Sequence, residues 1–75
     1  MDRERYFIEP GNGQWHLVRE YDDEPMASFR TKREAIEHGR ETARTRGNSQ
    51  LIIKDRNHVI QTEWTYGHDP RRHPG

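Results

Sequence analysis

The chain has 75 residues, of which 28% are hydrophobic and 35% are charged, so it has room for one domain with a thin core and a charged surface. Its 13 basic and 13 acidic residues cancel, and its apolar residues fall in short runs, which argues against a disordered chain. Cysteine is absent, which excludes disulfides and thiolate zinc sites, so further stability has to come from elsewhere, for example from self-association.

The N-terminal residues do not have the pattern of a targeting segment. They read Met-Asp-Arg-Glu-Arg and lack the apolar stretch of a secretory signal. No run reaches the roughly 18 apolar residues that a membrane-spanning helix needs. We therefore expect a cytoplasmic protein without a membrane partner.

Charge is distributed unevenly along the chain. Residues 1–29 carry three basic and seven acidic side chains, a net charge of −4, whereas residues 30–46 carry six basic and three acidic ones, a net charge of +3. Such a dipolar surface is typical of soluble proteins, and it also fits a basic helix that meets an acidic partner.

A β-hairpin is predicted at the start of the domain. Residues 5–10 and 14–19 have the composition of strands, and the pair Asn12-Gly13 between them is typical of a type I′ turn, in which both central residues have positive φ. Residues 26–30 follow a polar turn and are predicted to form a third strand of this meander.

The turn fixes which residues of the hairpin share a face. In the register that it sets, Ile8, Trp15 and Leu17 lie on one face, which we assign to the core. Phe7 and Val18 pair on the opposite face. We expect Trp15 to be mostly buried under the helix.

A helix is predicted from Thr31 to about Arg46. Thr31 and Glu34 have the pattern of a capping box, and Gly47 suits the positive φ of a helix C-cap. The residues that recur at helical spacing on the core side are few and mostly small, namely Ala35, Ile36, Gly39 and Ala43.

Two positions within this helix carry structural expectations. Glycine in a helix costs up to about 1 kcal/mol relative to alanine, and we expect Gly39 to let the backbone approach the sheet near Trp15 or Phe29. His38 lies between two glutamates at helical spacing, which predicts a local charge pair.

Two further strands are predicted after the helix. Residues 49–54 contain three consecutive apolar residues, which indicates burial on both faces. A turn follows in which Asn57 is suited to a left-handed conformation, and residues 59–66 then alternate between apolar and polar. The inner face of this last strand is predicted to hold Ile60, Thr62, Trp64 and Tyr66, with Gln61 and Glu63 pointing outward.

These elements predict an α+β fold, β-β-β-α-β-β, with a single mostly antiparallel sheet and one helix packed on one face. The predicted strand order is 3-2-1-5-4, which pairs the last strand antiparallel with the first. In this interpretation residues 5–67 form one domain, between a flexible N-terminus at residues 1–4 and a flexible tail at residues 68–75.

Three segments resemble a known family: Gly13-Gln14-Trp15, the Thr-led start of the helix at residues 31–35, and Tyr66-Gly67-His68-Asp69-Pro70. Over about residues 5–70 the sequence is similar to the small bacterial proteins grouped as domain of unknown function 2188. It departs from their pattern in the last hairpin, because Arg56-Asn57 stands where members usually carry Asp-Gly. The resemblance implies the fold and supplies no activity, cofactor or partner.

The sequence contains none of the motifs that typically position a nucleophile, a phosphate or a metal ion. Ser28 falls within a predicted strand and Ser49 at the exit from the helix, and neither context activates a hydroxyl. His68 and His73 lie on the predicted tail, where side chains are more often solvated than bound to metal. We therefore predict that the protein is not an enzyme and uses no cofactor or metal.

Protein association is the function that we favour from the sequence. One helix covers only one face of the sheet, and Phe7, Val18 and Ile52 are predicted to lie on the other face. We expect a homodimer or an unknown protein partner, bound through these three residues or through a free edge strand.

Nucleic-acid binding is the alternative, from a different class of function. A sheet backed by a helix can enter the major groove of DNA, while basic residues of the helix contact phosphates. The net charge of −4 on residues 1–29 opposes binding to a polyanion. The candidate contacts are Arg19, His16 and Phe7 on the sheet and Arg33, Arg40 and Arg44 on the helix.

Overall fold

The computed structural model describes residues 3–67 and has the element order β-β-β-α-β-β, which confirms the predicted α+β class. Strand β1 begins at Glu4, within the segment 1–4 that was expected to be flexible, and the predicted tail at residues 68–75 lies outside the described residues. The elements are β1 (Glu4–Gly11), β2 (Gln14–Arg19), β3 (Ala27–Phe29), α1 (Lys32–Arg46), β4 (Ser49–Lys54) and β5 (Ile60–Tyr66).

The five strands form one sheet in the order β3-β2-β1-β4-β5. Strands β1 and β4 pair in parallel, and the other neighbouring pairs are antiparallel. The predicted order 3-2-1-5-4 is therefore wrong, because β4 and not β5 lies next to β1. The reason is burial: Leu51, Ile52 and Ile53 are all buried, which requires a neighbour on each side and cover on each face.

The N-terminal hairpin has the predicted turn and register. Asn12 has φ 53° and Gly13 has φ 73°, as a type I′ turn requires. Ile8 lies opposite Leu17 and Phe7 opposite Val18, so the two pairs occupy opposite faces of the sheet. The local turn chemistry thus decides which apolar residues meet the helix.

Both ends of α1 are closed by hydrogen bonds to the backbone. The Thr31 hydroxyl accepts a hydrogen bond from the Glu34 N–H at 3.1 Å, which is the threonine half of the predicted capping box. At the other end the Gly47 N–H, from a residue with φ 88°, donates to the Ala43 carbonyl at 3.1 Å. The buried Ser49 hydroxyl donates to the same carbonyl at 2.6 Å, so this serine has a structural role.

The helix is closest to the sheet at its central strands. A Cβ atom added to Gly39 would lie 3.0 Å from the Cδ1 atoms of both Ile8 and Leu51, so the glycine permits contact with β1 and β4. The predicted approach to Trp15 or Phe29 is wrong. Trp15 is half-buried, not mostly buried as expected, because it lies at the end of the sheet where the helix begins. The buried cluster consists of Tyr6, Ile8, Leu17, Ala35, Ala43, Leu51 and Ile53.

His38 does not form the charge pair that its spacing from two glutamates predicted. Its ring centroid lies 4.7 Å from that of Phe29, with the two rings tilted by 32°. Phe29 is on β3, so this contact joins the helix to an edge strand of the sheet. The aromatic ring of His38 therefore serves packing in place of the expected ion pair.

A β-bulge changes the alternation at the start of β5. The register shifts between Ile53 and Lys54, so that Thr62 lies opposite Ile53 while Ile60 lies opposite Lys54. Ile60 therefore shares the face of Lys54, away from the helix, and Gln61 instead reaches the Lys32 ammonium group on the helix side. The predicted positions of Ile60 and Gln61 are wrong. A bulge adds one residue to a strand, so the residues on the far side of it point to the opposite faces of the sheet.

The turn between β4 and β5 is closed by a carboxylate. The Asp55 side chain accepts hydrogen bonds from the N–H groups of Asn57 at 2.8 Å and Val59 at 3.0 Å. These two backbone donors hold the pKa of Asp55 below its usual value. His58 takes the left-handed conformation with φ 64°, where Asn57 was expected.

Candidate functional site

The face of the sheet away from the helix carries a short apolar row. Val18, Phe7 and Ile52 lie side by side on neighbouring strands β2, β1 and β4. The sequence predicted that they share this face, but the predicted strand order separated Ile52 from Phe7. Val18 and Phe7 are half-buried, and Ile52 is only 4% exposed. Ile52 therefore has little surface left for a partner.

Charged and polar side chains of the same face cover this row. The Lys54 ammonium lies 5.0 Å from the centre of the Phe7 ring and 3.4 Å from a carboxylate oxygen of Glu9. Further along the face, Gln50 donates a hydrogen bond to Glu63 at 3.1 Å. Long side chains shield apolar atoms with their stems while their heads remain in water. The accessible apolar surface of the predicted association patch is thus smaller than the sequence predicted.

The residues predicted for nucleic-acid contact do not form one surface. Arg19 lies opposite Tyr6, which is buried beneath the helix, so Arg19 is on the helix face and not beside Phe7 and His16 as expected. Its guanidinium is 3.3 Å from the Asp22 carboxylate. On the helix, Arg44 pairs with Glu41. Strand alternation and local ion pairs separate these arginines from the predicted sheet surface.

The two remaining predicted arginines lie along a groove between α1 and β5. The Arg40 guanidinium carbon is 4.6 Å from the centre of the Trp64 ring, a cation–π contact. The groove has a volume of about 500 Å³, and Ile36 and Trp64 contribute apolar surface to it. Its basic lining residues are Lys32, Arg33 and Arg40. Trp64 is half-buried, so part of its ring remains accessible.

A second concavity, which the sequence reasoning missed, lies where the helix begins. It has a volume of about 510 Å³ and is lined by Trp15 together with Arg30, Lys32 and Arg56. The Lys32 ammonium is 5.2 Å from the centre of the Trp15 ring. Lys32 lines both concavities and so connects them.

The topology explains why these distant residues meet. Strands β1, β3 and β4 are parallel to one another, so their carboxyl ends lie at the same end of the sheet. The hairpin turn before Trp15, the start of the helix and the β4–β5 turn with Arg56 all follow those ends. The predicted Asn12-Gly13 turn and Thr31 cap were signals for this assembly, but the correct position of β4 was needed to complete it.

Basic side chains near the two tryptophans differ from most other basic side chains in that they form no ion pairs with carboxylates. Within residues 3–67, the arginines and lysine that form ion pairs with carboxylates are Arg5, Arg19, Arg44, Arg46 and Lys54. The basic residues that line the two concavities, Arg30, Lys32, Arg33, Arg40 and Arg56, form no ion pair within that part of the chain. One carboxylate also lines each concavity, Asp55 in the first and Glu37 in the second, so each concavity holds more basic than acidic side chains.

The two edges of the sheet also differ. Strand β3 has three residues, whereas β5 has seven and contains neither lysine nor proline. Val59 and Ile60, at the start of the longer edge, are 57% and 51% exposed. Lysine, proline, β-bulges and short length are the usual protections of an edge strand. The bulge protects the start of β5, so residues 62–66, which pair regularly with β4, form the less protected edge.

The titratable groups with shifted pKa values have structural causes. Burial, followed by the hydrogen bond and the negative charge of Glu4, raises the pKa of Tyr6. The Asp55 carboxylate, whose pKa is lowered, closes a turn. Within residues 3–67, no group of three His, Asp or Glu side chains is arranged to hold a metal ion. His68 and His73 lie outside the described residues.

Together these features define a small α+β domain with one mixed five-stranded sheet crossed by a single helix. The chain belongs to the family described as "Uncharacterized protein conserved in bacteria (DUF2188)", whose model matches residues 6–66, and this confirms the resemblance drawn from the sequence. No curated protein and no solved structure matches the chain. Within residues 3–67, no helix is both long enough and apolar enough to span a membrane.

Proposed function

We propose that this domain is a non-catalytic interaction module that associates with a second copy of itself through the free edge of β5. The observation that carries the proposal is this seven-residue edge strand, which has no lysine or proline and is regular from Thr62 to Tyr66, beyond its bulge. An unpaired edge presents a row of backbone N–H and C=O groups that match those of another strand.

The alternatives within the same class are less favourable. Strand β3 offers only three residues for pairing. The open-face row of Val18, Phe7 and Ile52 is already covered in part by side chains of its own sheet, as the ion pair between Lys54 and Glu9 shows. Pairing of two β5 edges does not depend on apolar surface on the open face of the sheet. This favours the β5 edge over the face contact that the sequence suggested.

A two-fold axis suits such a contact. Antiparallel pairing of two β5 strands about an axis perpendicular to the sheet keeps both helices on one side and makes the contact self-complementary. A register centred on Glu63 would place two carboxylates opposite each other, which is destabilising. A register centred on Trp64 instead pairs the two tryptophans and sets Glu63 against Thr65.

Association also compensates for the small core. The buried apolar residues of the described chain are few, and two of them are alanines. A partner that binds only the folded state stabilises it by mass action. A cytoplasmic location is part of this proposal, because a chain without cysteine gains nothing from an oxidising compartment.

Sedimentation equilibrium from micromolar to millimolar protein tests the proposal. We expect the wild type to shift from monomer to dimer across this range, and its melting temperature to rise with concentration. Thr65→Asp adds a carboxylate to the exposed β5 edge near Glu63 and should remain monomeric. A wild type that stays monomeric at millimolar concentration would overturn the proposal.

Two variants serve as controls. Ser28→Asp introduces the same charge on the other edge strand, where its carboxylate can still accept the hydrogen bond that Ser28 shares with His16. Phe7→Lys changes the open face and leaves both edges intact. Both variants should dimerise like the wild type. Loss of the dimer in Phe7→Lys alone would move the interface to the open face.

A further inference from the structure

The basic residues without ion pairs are concentrated around the two tryptophans. Arg30, Lys32 and Arg56 surround Trp15 at the start of the helix, and Arg33 and Arg40 lie in the groove beside Trp64. Elsewhere in residues 3–67, arginines of the sheet such as Arg5 and Arg19 have carboxylate partners. The unpaired charges therefore lie where aromatic surface is also accessible.

Each tryptophan combines a partly exposed ring with a nearby cation. Trp15 and Trp64 are both half-buried, with Lys32 at 5.2 Å and Arg40 at 4.6 Å from their respective ring centres. An aromatic platform flanked by cations is the arrangement on which single-stranded nucleic acid stacks its bases while its phosphates meet the basic side chains. Both tryptophans pack against the border of the buried cluster, and each leaves part of its ring exposed.

The two platforms belong to one continuous surface. Lys32 lines both concavities, so the surface runs from the β4–β5 turn past Trp15 and the start of the helix, and then along the α1–β5 groove to Trp64. From the sheet register, Trp15 and Trp64 are three strands apart across the sheet and four residues apart along it, roughly 20 Å. That distance exceeds one nucleotide and matches a short extended strand.

The geometry favours a single strand over a duplex. Each platform is a tryptophan ring flanked by basic side chains, which offers stacking surface to unpaired bases, whereas the bases of a duplex are already stacked on one another. The open sheet face, which a major-groove reader would use, is occupied by contacts such as that of Lys54 with Glu9. The acidic residues 20–24 follow β2 at the end of the sheet opposite Trp15, so the charge distribution favours a polyanion at the Trp15 end.

We infer that this surface, Trp15 and Trp64 with Arg30, Lys32, Arg33, Arg40 and Arg56, binds single-stranded nucleic acid without strong sequence preference. Each copy of the chain carries the whole surface, but Trp64 also lies at the axis of the proposed β5 pairing, so the two proposals share this residue. Strand binding is therefore measured on the monomer, below micromolar protein, and its failure there would leave the β5 contact untouched.

The first test is fluorescence anisotropy with a labelled oligothymidylate of about 15 nucleotides, near the upper end of the usual site sizes of single-strand-binding domains. Arg30→Gln/Arg56→Gln should weaken binding by about tenfold and lower the slope of log affinity against log salt by about 1.4, since each single-strand phosphate contact contributes about 0.7. The control Arg5→Gln/Arg19→Gln removes the same charge from cations that are in ion pairs, and it should bind within about twofold of the wild type. Equal losses in the two double variants would overturn the inference.

The second test uses the tryptophans as reporters, because the chain contains only two of them. Trp15→Phe and Trp64→Phe each leave a single tryptophan and keep an aromatic ring at the altered position. In both variants oligothymidylate should quench the remaining fluorescence, and inorganic polyphosphate, which has no bases, should not. Quenching in only one variant or in neither would overturn the inference. Tighter binding of duplex DNA or of polyglutamate than of oligothymidylate would also overturn it.

Discussion

The two faces of the sheet hide apolar side chains by different means. On the helix face, Leu51 is fully buried against a helix that approaches so closely that position 39 is a glycine. On the open face, Ile52 is 4% exposed, and long side chains such as Lys54 and Gln50 lie on that face. Burial is nearly equal in the two cases, but one face is covered by a helix and the other by solvated side chains, so we expect the second cover to adapt more easily. Burial alone therefore does not predict the cost of a substitution.

Leu51→Ala and Ile52→Ala test this difference directly, because they are adjacent residues of one strand with similar burial. Leu51→Ala should lower the free energy of unfolding by about 2–5 kcal/mol, since the helix cannot collapse into the cavity. Ile52→Ala should cost no more than about 2 kcal/mol, because surrounding chains and water can fill the space. Urea denaturation of both variants gives the comparison. Equal losses would show that the open face is as rigid as the helix face.

Gly39→Leu examines the close approach itself. The Cβ atom alone would lie 3.0 Å from the Cδ1 atoms of Ile8 and Leu51, so a leucine forces the helix away from the sheet. We expect a loss of about 1–3 kcal/mol, which exceeds the helix-propensity gain of under about 1 kcal/mol. Thr45→Leu, which introduces leucine at an exposed position of the same helix, is the control and should leave stability unchanged or slightly higher. A higher melting temperature for Gly39→Leu would contradict the close contact.

Local features of this fold were predictable from the sequence, because each is decided by residues close together in the chain. The Asn12-Gly13 pair determined the turn and the hairpin register. Thr31 and Gly47 marked the ends of the helix. Each of these signals acts through backbone conformation at a single site, so no knowledge of distant contacts was needed.

Strand order was not predictable with the same certainty, because pairing depends on residues far apart. The signal for the position of β4 was nevertheless present: three consecutive apolar residues, Leu51 to Ile53, indicate a strand with cover on both faces. Such a strand belongs inside the sheet, and the more polar β5 belongs at the edge. The predicted pairing of β5 with β1 would have left β4 at the edge of the sheet, against this signal.

The candidate sites were predicted only in part. The shared face of Phe7, Val18 and Ile52 followed from strand alternation, but the position of Ile52 beside Phe7 and the side chains that cover the row did not. Arg19 was misplaced even though it follows Leu17 by two residues on the same strand, which puts it on the predicted core face. The surface around Trp15 needed the tertiary arrangement, since Arg30 and Arg56 come from separate segments of the chain.

Tyr6→Phe tests the contribution of the hydrogen bond that the Tyr6 hydroxyl makes at the border of the core. The Tyr6 hydroxyl donates a hydrogen bond to Glu4, and its loss should cost about 0.5–1.5 kcal/mol at neutral pH. Because the pKa of Tyr6 is raised in the folded state, its contribution is fully present below the unfolded value of about 10 and is lost as pH rises through the folded value. The difference in unfolding free energy between wild type and Tyr6→Phe should therefore shrink above about pH 10. A difference that stays constant from neutral to alkaline pH would argue against this account.

Lys54→Met gives the smallest expected effect and addresses the adaptable cover of the open face. Methionine keeps an apolar stem over Phe7 but removes the ammonium group that contacts the Phe7 ring and Glu9. If the cover acts mainly by shielding apolar surface, stability should change by less than about 1 kcal/mol, because partly exposed ion pairs contribute little. Lys54→Ala, which also removes the stem, should cost more than Lys54→Met by exposing Phe7. Denaturation of both variants at low and high salt separates the two contributions. If Lys54→Met lost as much unfolding free energy as Lys54→Ala, and high salt abolished that loss, the charge and not the apolar stem would protect the open face.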